Sequence, residues 1–169
     1  VGRSRAVDQC NAVAVQTGGM GVSAGYTDSH VALTRHTASG QFDAAFGTGG
    51  RVDINAAATA NGLSEARALL VQPDGKLLIA GYGFGPGTQE FLVMRLNADG
   101  SPDSSFGSGG ITRTPVGPGE DIANAMVRQP DGRIVLAGSA IVADGRRDFA
   151  PARSPTAGVR EASAGYLVT

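Results

Sequence analysis

Three oxygen-bearing side chains, Asn97, Asp99 and Asp103, lie within a span of seven residues in a turn-rich segment. Oxygen ligands at this spacing are typical of calcium-binding loops. Two other segments of the chain align with this one, and they carry Ser39 and Ala157 in place of Asp99, each followed by glycine. Because the glycine recurs and the acid does not, the comparison favours turn chemistry. Asn97, Asp99 and Asp103 therefore remain calcium candidates, with turn formation as the preferred interpretation.

The chain contains two histidines, His30 and His36, which lie six residues apart around one predicted strand. They could share a face of that strand, but no third metal ligand lies nearby in the sequence, so two exposed histidines are the favoured interpretation. A Ser-His-Asp arrangement stays open, because its members are neighbours in space rather than in sequence. No local signature of an activated nucleophile supports it.

A glycine-rich stretch at 81–87 invites comparison with phosphate-binding loops. Pro86 occupies the last glycine position of the dinucleotide pattern, and a predicted strand follows instead of a helix. No helix N-terminus is then available to hold an anion. We therefore predict a loop from Gly83 to Thr88, and we predict no catalytic or cofactor-binding residues in the chain. Tyr82 and Phe84 could line a ligand surface beside that loop.

These residues sit within a repeat of nearly sixty residues. Gln16, Gln72 and Gln129 lie 56 and 57 residues apart, and glycines at 25, 81 and 138 recur at the same steps. Such a period predicts an array of equivalent structural units. We place the units at 1–54, 55–114 and 115–169, with a strand of a prior unit at the start and a degenerate third copy after residue 150. Since the chain begins partway through a unit, we expect a fragment or a processed form.

The middle copy predicts four short antiparallel strands. The first two are apolar runs joined by Pro-Asp-Gly, which is typical of a β-hairpin. The segment 121–127 could be read as a helix, but its alignment with the middle copy favours a strand. The four predicted strands are Ala66–Gln72, Lys76–Tyr82, Phe91–Leu96 and Ile111–Thr114.

Several single residues receive structural predictions. Phe46 and Phe106, each followed by Gly-x-Gly-Gly, are expected to fill the same core position in two copies. The arginines at 35, 95 and 153 share another position, where a packed stem and a head paired with a turn carboxylate or carbonyl are expected. Cys10 is the single cysteine and is expected to be a small apolar filler. Pro151 and Pro155 suit only an edge strand.

The segments 72–76, 95–101 and 103–110, with sequences QPDGK, RLNADGS and DSSFGSGG, resemble the delta-60 repeat family. That family is similar to β-propeller blades and has no established activity. The resemblance covers nearly the whole chain and is poor after Pro151. It implies an all-β fold of tandem four-stranded antiparallel blade-like units, a partial β-propeller of about three repeats.

The bulk properties restrict the function. A net charge of -1 and a pI near 6.1 argue against nucleic-acid binding. The longest apolar run is too short to span a bilayer, which takes roughly 20 residues. We expect a non-enzymatic scaffold or binding module for protein or glycan, secreted or at the cell surface, that self-associates through open blade edges. The alternatives are a propeller enzyme such as a metal-dependent lactonase, and a truncated, non-functional remnant.

Overall fold

The computed structural model describes residues 8–57 and 63–154, and within these ranges every regular element is a strand. Short apolar runs between glycine-rich turns favour strands, because such turns reverse the chain at low steric cost. The described strands are β1 (Asp8–Gln16), β2 (Met20–Thr27), β3 (His30–His36), β4 (Arg51–Ile54), β5 (Ser64–Val71), β6 (Leu77–Phe84), β7 (Gln89–Leu96), β8 (Ile111–Thr114), β9 (Asp121–Arg128), β10 (Ile134–Ile141) and β11 (Arg147–Ser154).

The strands form three antiparallel sheets in chain order. The first sheet is β1-β2-β3-β4, the middle sheet is β5-β6-β7-β8, and the third is β9-β10-β11. Consecutive strands pair within each sheet, whereas β4 and β5, and β8 and β9, belong to different sheets. The sheets of the described residues form an open set rather than a closed ring. The all-β, blade-like prediction is confirmed, and the segment at 121–127 is a strand. No helix of the described ranges is long and apolar enough to cross a membrane.

The sheets stack face to face and enclose two apolar cores. Successive strand residues point to opposite faces, so the middle sheet contributes to both. Leu77 and Ile79 are buried against the first sheet, and Leu78 and Ala80 are buried against the third. The middle sheet is consequently apolar on both faces.

The first strand of every sheet carries a β-bulge. The bulged residues are Asn11, Arg67 and Asn124, and the register shift lies beside each of them. The facing residue in the second strand is a glycine each time, and a Cβ on Gly25 would lie 1.8 Å from the Gln9 carbonyl oxygen. Only glycine can occupy this position, which explains why it recurs along the repeat.

The prediction of a shared core position for the two phenylalanines is confirmed, because Phe46 and Phe106 are both fully buried. Gly47 and Gly107 follow them with the same positive φ of 54°. A Cβ on either would collide with the carbonyl oxygen four residues later. The tight corner after each phenylalanine therefore depends on this glycine.

Some predictions need correction. The second strand of the middle sheet extends to Phe84, so the predicted loop from Gly83 is shorter than expected. Cys10 is exposed and is not a core filler, because no sheet of the described residues covers the side of the first sheet to which it points. The edge-strand prediction for Pro151 is confirmed, because Pro151 pairs with Ala137 of β10 from within β11, which is an edge strand of the third sheet in the described residues. Pro155 and most of the predicted degenerate segment after residue 150 lie outside the described residues.

Candidate binding surface

The calcium candidate Asp103 is already paired within the protein. Its carboxylate accepts hydrogen bonds from Lys76 Nζ at 2.6 Å and Arg95 Nε at 2.7 Å, and from the Ser105 hydroxyl at 2.7 Å. The side chain is 7% exposed. The bond from Lys76, followed by those from Ser105 and Arg95, holds the pKa of Asp103 well below its usual range. This carboxylate is a charged structural element of its turn.

The other two calcium candidates serve the preceding turn. Asp99 accepts from the Ser101 hydroxyl at 2.7 Å and from its backbone N–H at 2.9 Å, and these bonds lower the pKa of Asp99. Asn97 donates to the Ser101 hydroxyl at 3.0 Å. In the part of the chain that the structure describes, no group of three His, Cys, Asp or Glu residues is arranged to hold a metal ion.

The first copy of the repeated arginine has a comparable setting. Arg35 Nε donates to Asp43 at 2.8 Å, and its guanidinium lies 4.7 Å from the centre of the Phe46 ring. Arg95 lies at the same distance over Phe106. Pairing with a carboxylate and stacking on an aromatic ring allow a guanidinium to be buried. The predicted structural role is confirmed for Arg35 and Arg95.

Three residues of the first sheet, Gln16, Arg35 and Gly47, also bind the main chain of the middle sheet. Gln16 Nε2 donates to the Gly75 carbonyl at 2.8 Å, the Gly47 N–H donates to the Asp99 carbonyl at 2.8 Å, and Arg35 donates to the Ala98 carbonyl. We call Gln16, Arg35, Phe46 and Gly47 the inter-sheet clamp. Arg113 Nε of the middle sheet donates to the Ala56 carbonyl at 3.0 Å, and Ala56 lies just after β4, the last strand of the first sheet. The recurring residues thus join one repeat to the next.

A second set of polar contacts links the bulges. Asn11 Nδ2 donates to Glu65 Oε1 and to the Ala66 carbonyl, both at 2.9 Å, and Arg67 reaches Asn124 Oδ1 at 3.4 Å. Sequence reasoning missed this row, although the bulged residues recur at the period of the repeat. The contacts form a line across the three first strands, in which Asn11 and Arg67 each bond a residue of the next sheet.

Tyr82, in the second strand of the middle sheet, also bonds a residue of this row. Its hydroxyl donates to Glu65 Oε2 at 2.9 Å. Burial, followed by the hydrogen bond to Glu65, raises the pKa of Tyr82 to about 12. The expected role of Tyr82 in a ligand surface is not supported, because its polar end is turned to a buried carboxylate.

Among the described residues, no element covers the side of the first sheet that faces away from the middle sheet, and we call this side the first outer face. It forms a concavity of about 530 Å³. The register of β1 to β4 places small and polar residues on it. Its members are Asp8, Cys10, Val13, Val15, Gly21, Ser23, Gly25, Thr27, His30, Ala32, Thr34, His36, Arg51 and Asp53.

The first outer face differs in residue size from the same face of the middle sheet. Where the middle sheet carries the buried residues Leu77, Ile79 and Met94, the first sheet carries Gly21, Ser23 and Thr34. The loss of these large side chains leaves the concavity. This difference in side-chain size could not be predicted from the sequence, because it depends on which residues of each strand point to the outer face.

The rim of the first outer face is polar and aromatic. His30 Nδ1 lies 2.8 Å from Asp53 Oδ1. His36 stacks on Phe42 with ring centres 4.6 Å apart, and Arg51 lies 4.8 Å from the centre of the same ring. The two histidines share this face but bind different partners.

Within the part of the chain that the structure describes, no element covers the side of the third sheet that faces away from the middle sheet, and we call this side the third outer face. Val127 and Phe149 on this side are 59% and 65% exposed. Val135, Ala137 and Pro151 lie on the same side by register. Arg153, the third copy of the repeated arginine, is exposed, and no hydrogen bond or ion pair involves it within the described residues. The paired-arginine prediction stays a prediction for Arg153, because the segment that would supply its partner begins at residue 155, outside the described residues.

Comparison with known proteins gives one family. The model described as "Domain of unknown function (DUF5122) beta-propeller" matches residues 72–106 and 129–153, about a third of the chain. Both matched segments begin at the recurring glutamine. This similarity supports a propeller-like repeat protein. Neither a curated protein nor a solved structure matches the chain significantly.

Proposed function

We propose that this chain is a non-enzymatic, propeller-like repeat scaffold whose uncovered sheet faces bind protein. The observation that carries the proposal is that the recurring polar residues bond other parts of the protein. Arg35 bonds the turn of the next repeat, and Asp43 and Asp103 hold the arginines of their own repeats. Side chains committed in this way stabilise the array and are not available to a substrate. The resemblance to the delta-60 repeat family agrees with this role.

The placement of the acids supports a scaffold over a lactonase. A propeller enzyme would need carboxylates from several repeats around one polar cavity. Asp43 and Asp103 instead lie in separate turns, each hydrogen-bonded to an arginine eight residues before it in the chain. The concavity on the first outer face is lined by a single sheet.

The exposed side chains favour a protein ligand over a glycan. Val13 and Val15 on the first outer face are 71% and 67% exposed. On the third outer face, Phe149 is similarly uncovered. Exposed apolar side chains grouped on a sheet face are characteristic of surfaces that dock another protein.

The scaffold proposal is tested by assaying lactone hydrolysis with added calcium, zinc or manganese. We expect no turnover above background. Asp103→Asn should lower the free energy of unfolding by about 1–3 kcal/mol, because a buried group loses charged hydrogen bonds. Asp131→Asn is the matched control, since Asp131 is an exposed turn residue whose side chain accepts from the Arg133 N–H. Turnover that Asp103→Asn abolishes and Asp131→Asn retains would refute the scaffold role.

A further inference from the structure

We propose that the third outer face of one copy of this chain docks on the first outer face of a second copy, head to tail. Two copies would then form a ring of six sheets. This inference rests on the proposed scaffold function and names the partner of its uncovered faces. It is argued from the interface that the molecule already contains between its middle and third sheets.

In that internal interface, large side chains of one sheet meet small side chains of the next. Phe91 and Val93 of the middle sheet share a buried cluster with Ala140, Ala150 and Ala152 of the third sheet. The pairing of large with small residues lets two sheet faces approach closely and fill the space between them.

The third outer face carries the large side chains of this arrangement. Phe149 occupies the position of Phe91, since each pairs with the residue that follows the recurring glycine of the preceding strand. Phe91 is 1% exposed, whereas Phe149 is 65% exposed. The third sheet thus presents the same aromatic knob with nothing covering it in the described structure.

The first outer face carries the small side chains of this arrangement. Thr27, Ala32 and Thr34 occupy the register positions that Ala140, Ala150 and Ala152 occupy in the third sheet. The concavity of about 530 Å³ lies over these positions. A phenylalanine from another copy can enter here as Phe91 enters the internal interface.

The turns give a second, independent argument. In the internal contact between the first and middle sheets, a Cβ on Gly100 would lie 2.9 Å from the Phe46 ring, and Arg35 binds the neighbouring Ala98 carbonyl. The equivalent Gly40 has no atom within 4 Å of such a Cβ. Arg153 holds the position of Arg35, so docking would place its guanidinium at the turn that contains Gly40.

The number of sheets argues for two copies. Closed propellers commonly contain 4–8 sheets, and the three sheets that the described residues form in each of two copies supply six. A head-to-tail contact between unlike faces either closes into a ring or continues as a filament. Arg51 and Asp53 at the rim keep the first outer face polar, as is usual for surfaces that are exposed before they associate.

The experiment measures the molar mass of the full 169-residue chain by size exclusion with light scattering. We expect a mass of twice 17.0 kDa. Phe149→Asp and Ala32→Trp, which damage the knob and the concavity respectively, should each give a monomer with an unchanged far-ultraviolet circular dichroism spectrum. Arg146→Ser should remain dimeric, because the exposed Arg146 side chain bonds Asp144 in its own turn.

Mixing the two damaged variants tests the head-to-tail geometry. A Phe149→Asp chain keeps an intact first outer face, and an Ala32→Trp chain keeps an intact third outer face. The mixture should therefore form a dimer through one intact contact. If the contact joined two like faces instead, the variant that keeps that face intact would form a dimer by itself. A series of larger species sensitive to both substitutions would overturn the closed ring.

A monomeric wild-type chain would overturn the docking proposal. This includes the case in which residues 155–169 cover the third outer face, for which Phe149→Asp would leave the mass unchanged. Such a monomer without lactone turnover would still leave the scaffold function in place. Turnover would instead refute the scaffold function, whatever the molar mass, so the two failures are distinguishable.

Discussion

Burial and pairing decide what each acid in this protein can do. The Asp103 carboxylate accepts hydrogen bonds from two cationic side chains and a hydroxyl, and the Asp99 carboxylate accepts hydrogen bonds from the hydroxyl and the backbone N–H of Ser101. An aspartate in a turn-rich segment looks like a metal ligand in sequence, because the sequence does not show which donors the turn brings to its oxygens. The arginine was more predictable, since its position beside a turn carboxylate follows from the repeat itself.

At this scale, Phe106→Ala should lower the free energy of unfolding by roughly 3–5 kcal/mol, because a fully buried ring leaves a cavity. Urea denaturation provides the measurement. Phe42→Ala is the matched control, since Phe42 is 46% exposed and should lose about 1 kcal/mol or less. Equal losses for the two variants would show that Phe106 does not fill the core.

Tyr82 predicts a loss of stability at high pH. Its pKa is raised from 10.0 to about 12, so the folded state holds the phenolic proton more tightly than the unfolded state does. The stabilisation is complete below pH 10 and is lost as the pH rises from 10 to about 12. A phenolate absorbance titration should show a component near pH 12 that Tyr82→Phe removes. Persistence of that component in Tyr82→Phe would assign it to another tyrosine.

At the scale of elements, the strands were largely predictable and their irregularities were not. The apolar runs and Pro-Asp-Gly turns predicted strands close to β5 through β8. The recurring glycines were also visible in the sequence, but the structural reason for their recurrence was not. A bulge is created by one extra residue in the facing strand, and this appears only when the register is known.

The bulges give a prediction within one strand. Gly25→Ala should cost more than about 4 kcal/mol or prevent folding, because the new Cβ would lie 1.8 Å from the Gln9 carbonyl oxygen. Gly21→Ala in the same strand is the control. It meets nothing within 4 Å and should change stability by about 1 kcal/mol or less. Thermal unfolding of both variants provides the measurement, and similar melting temperatures would contradict the bulge argument.

At the scale of the whole molecule, the sequence predicted an array but not the difference between its two ends. Gly21, Ser23 and Thr34 look unremarkable in the alignment of repeats. Only the pairing of β1 to β3 shows that they share one uncovered side. Likewise, the exposure of Phe149 follows from the order of the sheets, which local composition does not contain.

In a linear array, damage at one sheet contact should remain local. Arg113→Met removes the bonds from the middle sheet to the Ala56 carbonyl. Amide hydrogen exchange should accelerate in β1–β4, with little change in β9–β11. Arg146→Met, in an exposed turn of the third sheet, should leave exchange in β1–β4 unchanged. Uniform acceleration in all three sheets would show that the array unfolds as one unit.

The inter-sheet clamp has a consequence for how such arrays change in evolution. Gln16, Arg35 and Gly47 all donate to main-chain carbonyls of the next repeat. Every residue type supplies a carbonyl, so these three bonds require of the neighbouring unit the position of its main chain and, at Gly100 beside Phe46, the absence of a side chain. Units can therefore diverge in sequence, or be duplicated and deleted whole, while these junctions persist. Gene segments encoding single units would then behave as interchangeable cassettes, and members of one lineage would differ in unit number before they differ in junction chemistry.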